Sequence, residues 1–467
     1  MIEKIANYIP VIEKPKTSLT LRDKFKWFLI IVALYSLLSN IETIGVSPLV
    51  SQDPITYYFS LLLGARIGSI FSLGIAPLIT AGIILHVLTS SKILNLDLQN
   101  PEDRKKYENY EKVLALFFGI VEAFIIIYSG YLPILPGFTF IVFLQLLLGV
   151  FLILIFHSLA KKYTFGAGII NIAIFSGVAT QLIIFLFSPY ALTTSGFVLW
   201  FKENEIPSGH VLQLIISLLN KDLNLFVLAI VPIISTLAIV LLTLYLLNSK
   251  IYVGSLEFKM MRSIKQPFEL NLLYVSVLPI IFASSFLVIL SFAASSTLTI
   301  QTGNLRCGIF GCVDLNGNPV SGLIYYITPP NPIYATQEPL KEVTRAIIYF
   351  LLLTALTTIF GFMWVYSAGM DPKTVAENLV NSGMTISGLR DNPSILENFL
   401  KNYIPYLTFL SCFLISLIAI LADLLGALGG RSGVSLFLLV SVIYSFHMIL
   451  KREKSENIPK ALEYFIK

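Results

Sequence analysis

Charge is scarce in this chain. Only 13% of its 467 residues are Asp, Glu, Lys or Arg, against 56% hydrophobic, and the mean hydropathy is +0.82. Soluble domains are about one-quarter charged, so a soluble domain is excluded and a polytopic membrane protein is left. Histidine and cysteine are thin too, at four and three. His86 and His157 stand alone in apolar runs, and a zinc site needs three or four ligands, so no metal is expected. No Gly-rich phosphate loop with its Lys and Ser or Thr occurs, which excludes a built-in nucleotide motor. Paired intramembrane aspartates, a Ser with a His partner and a metal-ligating cluster are also missing. Neither an enzyme nor a cofactor is expected. Residues 1–26 are polar and charged, so no cleavable signal peptide is expected and the first span itself would direct insertion. The net charge of +5 does not argue for nucleic acid, because the basic residues fall in loops between apolar runs.

Apolar runs long enough to cross a bilayer, about twenty residues each, recur ten times. They lie at 27–45, 70–94, 113–132, 138–160, 169–188, 225–247, 271–292, 344–366, 406–425 and 434–450. Lys and Arg are divided unevenly between the alternate loops, 25 against the remaining 7. The richer set includes both ends of the chain, which predicts cytoplasmic termini. Ten spans divide into two sets of five with opposite orientation, the arrangement of inverted repeats with a pathway at their interface. Segment 1–26 is then a cytoplasmic lead, 27–190 and 225–450 are the two halves, and 451–467 is a cytoplasmic tail. Cys412 lies within a span and reads as packing. Cys307 and Cys312 share a long loop, where a disulfide is an option if that loop faces an oxidising exterior.

Ile75, Ile79, Ile170, Ile174, Ile281 and Leu436 are bare aliphatic residues on four different spans, each in a stretch of Gly, Pro or small residues. A ring of such groups would make a dry constriction that gates by dewetting. Residue by residue, ordinary packing explains them as well. Ile55 to Leu63 is apolar but too short to span. It reads either as a re-entrant segment, which survives at membrane depth only when buried in protein or lining a cavity, or as a loop lying on the surface.

Several motifs decide between these readings together. The second span reads GIAPLITAGI from Gly74 to Ile83, the fifth opens with GAGII ending at Ile170, and the seventh reads VLPIIFASS from Val277 to Ser285. Later come GMDPK at Gly369 to Lys373, SGMTISGLR at Ser382 to Arg390, Tyr403 to Pro405, and GALGG at Gly426 to Gly430. In this order, from about residue 20 to about 450, the set resembles the SecY family, the channel subunit of the Sec protein translocon, in its archaeal branch. The resemblance implies an all-α fold of ten transmembrane helices, in two inverted five-helix halves around an hourglass pore.

The resemblance also implies roles. The pore ring would fall on Ile75, Ile79, Ile170, Ile174, Ile281 and Leu436, with Ile169 and Ala173 as the alternative register on the fifth span. The plug helix would be about 55–65, carrying Ile55, Phe59, Leu62 and Leu63. The lateral gate would open between spans two and three on one side and seven and eight on the other. Its polar latch would be reduced to Thr80, His86 and Ser276, because Val277 and Leu278 stand where an Asn is frequent and His86 where a Gln is frequent. Loops 248–270 and 367–405 would reach a translating ribosome through Arg262, Lys265, Arg390 and Lys401. The implied partners are a SecE-type gamma subunit, a small beta subunit, signal-sequence-bearing polypeptides and membrane lipids, in the cytoplasmic (plasma) membrane.

The chemistry of the residues fits such a task. Dispersion contacts are weak and non-directional, so an aliphatic ring closes around varied peptides. Each Leu, Ile, Phe or Val of a membrane segment favours lipid by about 0.3 to 0.6 kcal/mol at mid-span, enough in sum to send it out sideways. The competing reading is a coupled transporter with Glu122, Asp423 and His86 as its polar chain, since intramembrane acids are functional by default.

Overall fold

Long apolar runs become helices because hydrocarbon offers no partner to a backbone N–H or carbonyl. In this computed structural model the chain is described apart from residues 1–11, 13–14, 16–18, 47–64, 92, 95, 97–99, 129–131, 165–167, 194–195, 200–205, 259–260, 276, 296–299, 303–304, 315–318, 331–338, 390–391, 430–432 and 457–467. It runs α1 (Leu21–Asn40), α2 (Ala76–Ser90), α3 (Pro101–Tyr128), α4 (Thr139–Tyr163) and α5 (Ile169–Phe187), then the hairpin β1–β2 (Tyr190–Thr193, Gly196–Leu199). Next come α6 (His210–Asn220), α7 (Leu223–Asn248), β3 (Lys250–Phe258), β4 (Met261–Asn271) and α8 (Leu278–Ser295). An antiparallel meander, β5 (Ile300–Thr302), β6 (Leu305–Gly308), β7 (Gly311–Asp314) and β8 (Pro319–Gly322), leads to α9 (Leu323–Ile327) and α10 (Pro339–Ser367). Then follow α11 (Pro372–Asn381), β9 (Met384–Ile386), α12 (Pro393–Leu400), α13 (Ile404–Leu424) and α14 (Gly433–Glu456).

Helix starts are written locally. The Thr20 hydroxyl caps α1 by accepting from the Asp23 N–H, and Asp222 caps α7 by accepting from the N–H groups of Asn224 and Leu225. Each satisfies donors that the first helical turn leaves free. Pro232 lies inside α7, and the Ser235 and Thr236 hydroxyls both turn back on its carbonyl, at 3.0 and 2.6 Å. Outward-facing Val227, Leu228, Val231, Ile234 and Leu237 are exposed on the same helix, while Ser235, Thr236 and Thr243 are buried. A helix in water shows the reverse order.

Each of the ten predicted apolar segments holds a helix, but two differ from expectation. The segment expected from residue 70 is helical only from Ala76, because 66–75 forms turns around Gly68 (φ +93°) and Gly74 (φ +50°). The segment expected from 271 becomes helical at Leu278, after β4 has ended. Among the described residues, six helices are long and apolar enough to cross a membrane: Thr139–Tyr163, Ile169–Phe187, Leu223–Asn248, Leu340–Asn381, Pro393–Leu424 and Gly433–Lys451. The fold is mostly helical rather than all-α, since three small sheets accompany the helices.

One apolar cluster joins the helices at the centre, from Tyr35 and Phe71 through Ile172 to Phe437. A second, smaller one lies under the sheet β4-β3-β9. There Val253, Leu270 and Ile386 meet Ala376, Leu396 and Leu400 of α11 and α12. Loops 248–270 and 367–405, far apart in sequence, therefore fold as one unit. Ser387 donates to Glu257 at 2.6 Å across it.

Candidate functional site

Ile75 and Ile79 lie one helical turn apart at the head of α2, so they share a face. That head is set by Gly74, whose positive φ suits a residue without Cβ, and by Pro77 in the first turn, where a missing N–H removes no bond. Both isoleucines are fully buried, as are Ile174 on α5, Ile281 on α8 and Leu436 in the first turn of α14. All five belong to the central cluster, with Ile170 packed against it half-buried. On α5, Ile169 and Ala173 are wholly buried. Helices α2, α5, α8 and α14 thus bring the six aliphatic residues into one dry region.

A cavity of about 530 Å³ opens beside that region. Leu78, Gly82 and His86 line it from α2, Ile170 and Asn171 from α5, Leu278 and Phe282 from α8, Trp364 from α10, and Val442 and Ser445 from α14. Its remaining wall carries the ionisable Arg104, Glu108 and Glu111 of α3 and His157 and Lys161 of α4, with Tyr107, Gly168 and Val277. Lys161 Nζ lies 3.5 Å from Glu108 and 3.8 Å from Glu111, and His157 Nε2 lies 3.9 Å from Glu111. Burial pushes the Glu111 carboxyl above its ordinary 4.5, and Lys161 partly offsets this. The arrangement is a largely apolar chamber with ionisable groups on one wall, beside bare hydrocarbon. It can admit a flexible solute and withhold hydration from ions.

The polar residues expected at a gate are placed differently from one another. His86 Nδ1 is 3.0 Å from Ser367 Oγ on α10, and its ring meets those of Trp364, Phe282 and Tyr107 at 5.0, 5.6 and 5.8 Å. Phe282 continues the aromatic seam to Phe360 at 6.0 Å. The α2 face is therefore joined to α8 and α10 through His86. Thr80 turns instead to α3, its hydroxyl 2.7 Å from Glu122. Asp423 accepts from the Gly433 N–H at 2.7 Å, at the start of α14. His86, Glu122 and Asp423 thus face three different partners in these bonds rather than one another.

Ser276, Arg390 and the plug residues Ile55, Phe59, Leu62 and Leu63 lie outside the described residues. Arg262 and Lys265 fall on β4, with Lys265 opposite Glu257 in register. Lys401 is paired with Glu397 at 2.8 Å, one turn back on α12. Cys307 and Cys312 face each other across β6 and β7 with their sulfurs bonded, and Cys412 is free and buried. The sequence reading missed Ser367, Trp364 and Phe360. No local spacing links His86 to a residue 281 positions away, although Phe282 sits inside the Val277 to Ser285 motif.

Known proteins resemble the chain along its whole length. The family described as SecY matches residues 69–447. The protein translocase subunit SecY of Archaeoglobus fulgidus is 32% identical, covering 96% of this chain and 94% of that one. The same subunit of Pyrococcus horikoshii is 31% identical, with 100% and 99% covered. A solved protein-conducting channel superposes with a TM-score of 0.78 at 28% identity, covering 98% of this chain and all of the other. Sec61 in the canine ribosome–channel complex from the endoplasmic reticulum gives 0.74 at 26%, covering 98% of this chain and 100% of that one.

Proposed function

The chain belongs to the SecY family, and from that premise we propose how its residues carry out the work of a protein-conducting channel in a membrane. Secretory polypeptides enter the 530 Å³ chamber and pass the ring of Ile75, Ile79, Ile170, Ile174, Ile281 and Leu436. The observation that carries this reading is that six bare aliphatic side chains from four helices belong to or pack against one apolar cluster, with Ile170 reaching the cavity. Ile170 lines that cavity while Ile169 and Ala173 are wholly buried, which supports the Ile170 and Ile174 register. A dry constriction blocks ions because they cannot shed water into it, and it yields to a peptide because its contacts are non-directional.

The finer architecture in this reading is ten spans in two inverted halves, with a plug at 55–65 and both termini in the cytoplasm. Membrane segments leave sideways between α2 and α3 on one side and α8 and α10 on the other. The contact of His86 with Ser367 and Trp364 supports a seam closed there. The sheet unit of 248–270 and 367–405 faces the ribosome, as suits a chain whose structural relatives include a ribosome-bound Sec61. SecE-type gamma and small beta subunits complete the assembly, and work comes from a partner.

Single-channel conductance tests this, with and without residues 55–65, alongside crosslinking of a stalled secretory chain to Ile79→Cys and Ile281→Cys. A silent parent, a conducting deletion and crosslinks at both positions are expected. Absence of any crosslink, together with solute flux that depends on Glu122 or Asp423, overturns the reading in favour of a coupled transporter.

A further inference from the structure

Helix α6 is amphipathic in the sense opposite to a helix in water. Its inner side is polar. His210 Nδ1 lies 3.2 Å from the Phe185 carbonyl, Gln213 donates to the Pro207 carbonyl at 2.7 Å, and buried Ser217 donates to the Leu214 carbonyl at 2.8 Å. Its outer side is aliphatic, with Ile215, Leu218 and Leu219 exposed by 50%, 66% and 77%. Water would turn such a helix the other way. The helix contains no Asp, Glu, Lys or Arg.

The turn after α6 explains where that outer side points. Lys221 adopts the left-handed conformation (φ 55°) and Asp222 caps α7, so α6 folds back and packs along α7 and against α5. Leu223, at the head of α7, is 78% exposed, and Val227, Leu228 and Val231 continue its exposed face. The exposed aliphatic residues of α6 thus sit on a helix packed beside one that is itself exposed, long and apolar enough to cross a membrane. Scattered exposed leucines mean little, whereas a contiguous patch marks a surface that is covered. Helix α7 has 26 residues, about 39 Å at 1.5 Å each, longer than the ~30 Å of hydrocarbon. The 11-residue α6 is about 16 Å long, so packed along α7 it reaches from the excess into the acyl region, and the exposed Asn220, Lys221 and Asp222 suit the headgroups at its tip.

We propose that α6 is an interfacial membrane anchor, with Ile215, Leu218 and Leu219 seated in the acyl chains just below the headgroups. It ties the connector between α5 and α7, the join between the two five-helix sets, to the lipid. The inference requires only that α7 spans the membrane.

The test places an environment-sensitive fluorophore on Leu219→Cys in the full-length chain, reconstituted with its partners in lipid nanodiscs. Tyr252→Cys, on an exposed position of β3, is the aqueous reference. Both sites are exposed, so labelling leaves the fold intact. An interfacial helix seats its apolar face about 5–10 Å into the headgroup boundary. Emission at Leu219→Cys is therefore expected to shift to the blue. It is also quenched several-fold more by nitroxide carried near the headgroup than by nitroxide at the chain end, with neither effect at Tyr252→Cys. Ile215→Cys, on the same face, repeats the pattern. Emission at Leu219→Cys equal to the reference overturns the proposal in favour of water. A blue shift that no lipid nitroxide quenches overturns it in favour of a protein partner.

Discussion

Removing the His86 side chain should bias the channel toward its open seam by an amount the structure allows one to work out. In the structure His86 holds a hydrogen bond to Ser367 and sits edge-on to Trp364, with Phe282 and Tyr107 farther off, which is the closed seam of the proposed function. A hydrogen bond contributes about 0.5–1.5 kcal/mol net, and a well-placed ring pair about 0.5–1.5 kcal/mol beyond its burial. If opening parts α2 from α10, both are lost on opening in the parent and neither is lost in His86→Ala. The closed state of the variant is then less favoured by about 2 kcal/mol, or roughly 30-fold at 1.4 kcal/mol per decade. Ser367→Ala removes only the hydrogen bond, so its shift is about 1 kcal/mol, near fivefold. The assay is open probability in planar bilayers, with secretion of a reporter bearing a weakly hydrophobic signal read in parallel. His86→Ala should exceed Ser367→Ala in both. Equal effects would mean the rings contribute nothing. An unchanged open probability in a variant of normal thermal stability would refute the assignment of this contact to the seam.

Further outcomes are expected at four other residues. Arg345 is buried in α10, ion-paired with Glu342 at 3.1 Å, donating to Thr328 at 2.7 Å and stacked 4.3 Å over the Tyr325 ring; Arg345→Met should cost about 3–5 kcal/mol by stranding the acid, and the double change with Glu342→Leu much less, read by thermal unfolding in detergent. At Gly149 a Cβ would collide with the Ile70 carbonyl oxygen, so Gly149→Ala should destabilise by about 1–3 kcal/mol. Gly82→Ala, whose Cβ would meet only the Phe282 ring at 3.8 Å, should be neutral or gain up to about 1 kcal/mol from helix propensity. Burial raises the Glu111 carboxyl, so the stability its neutral form gives is complete below 4.5 and is lost as pH rises through the raised value. Glu111→Gln should therefore melt later than the parent at neutral pH and together with it in acid.

Much of this molecule is legible in its sequence, and the limits are physical. Hydrophobic length and the uneven Lys and Arg write the membrane class and the ten helical segments directly, because the bilayer judges each segment alone. The Gly and Pro around Ile75 and the Val277 to Ser285 stretch are local enough to mark α2 and α8, two of the helices that line the cavity. What escaped depends on distant pairing. Helix α2 begins at Ala76 because Ile70 bonds to the Ile41 carbonyl and Glu42 bridges Ser69, contacts no window around residue 70 contains. Arg345, counted as a loop charge, is instead one of the largest fully buried side chains. Its partners are the Thr328 hydroxyl 17 residues upstream and the Glu342 carboxylate of its own helix. The aromatic seam around His86 joins four helices, and only their packing brings it together.

The sheet β4-β3-β9 has a mechanical consequence. Its strands come from two connections: β3 and β4 lie between α7 and α8, and β9 lies between α11 and α12, within the connection from α10 to α13. Backbone bonds across the sheet and the Ser387 to Glu257 bond make it stiffer than two separate loops. It ties the α7–α8 connection to the α10–α13 connection, so a pull on either loop is shared by both through backbone bonds.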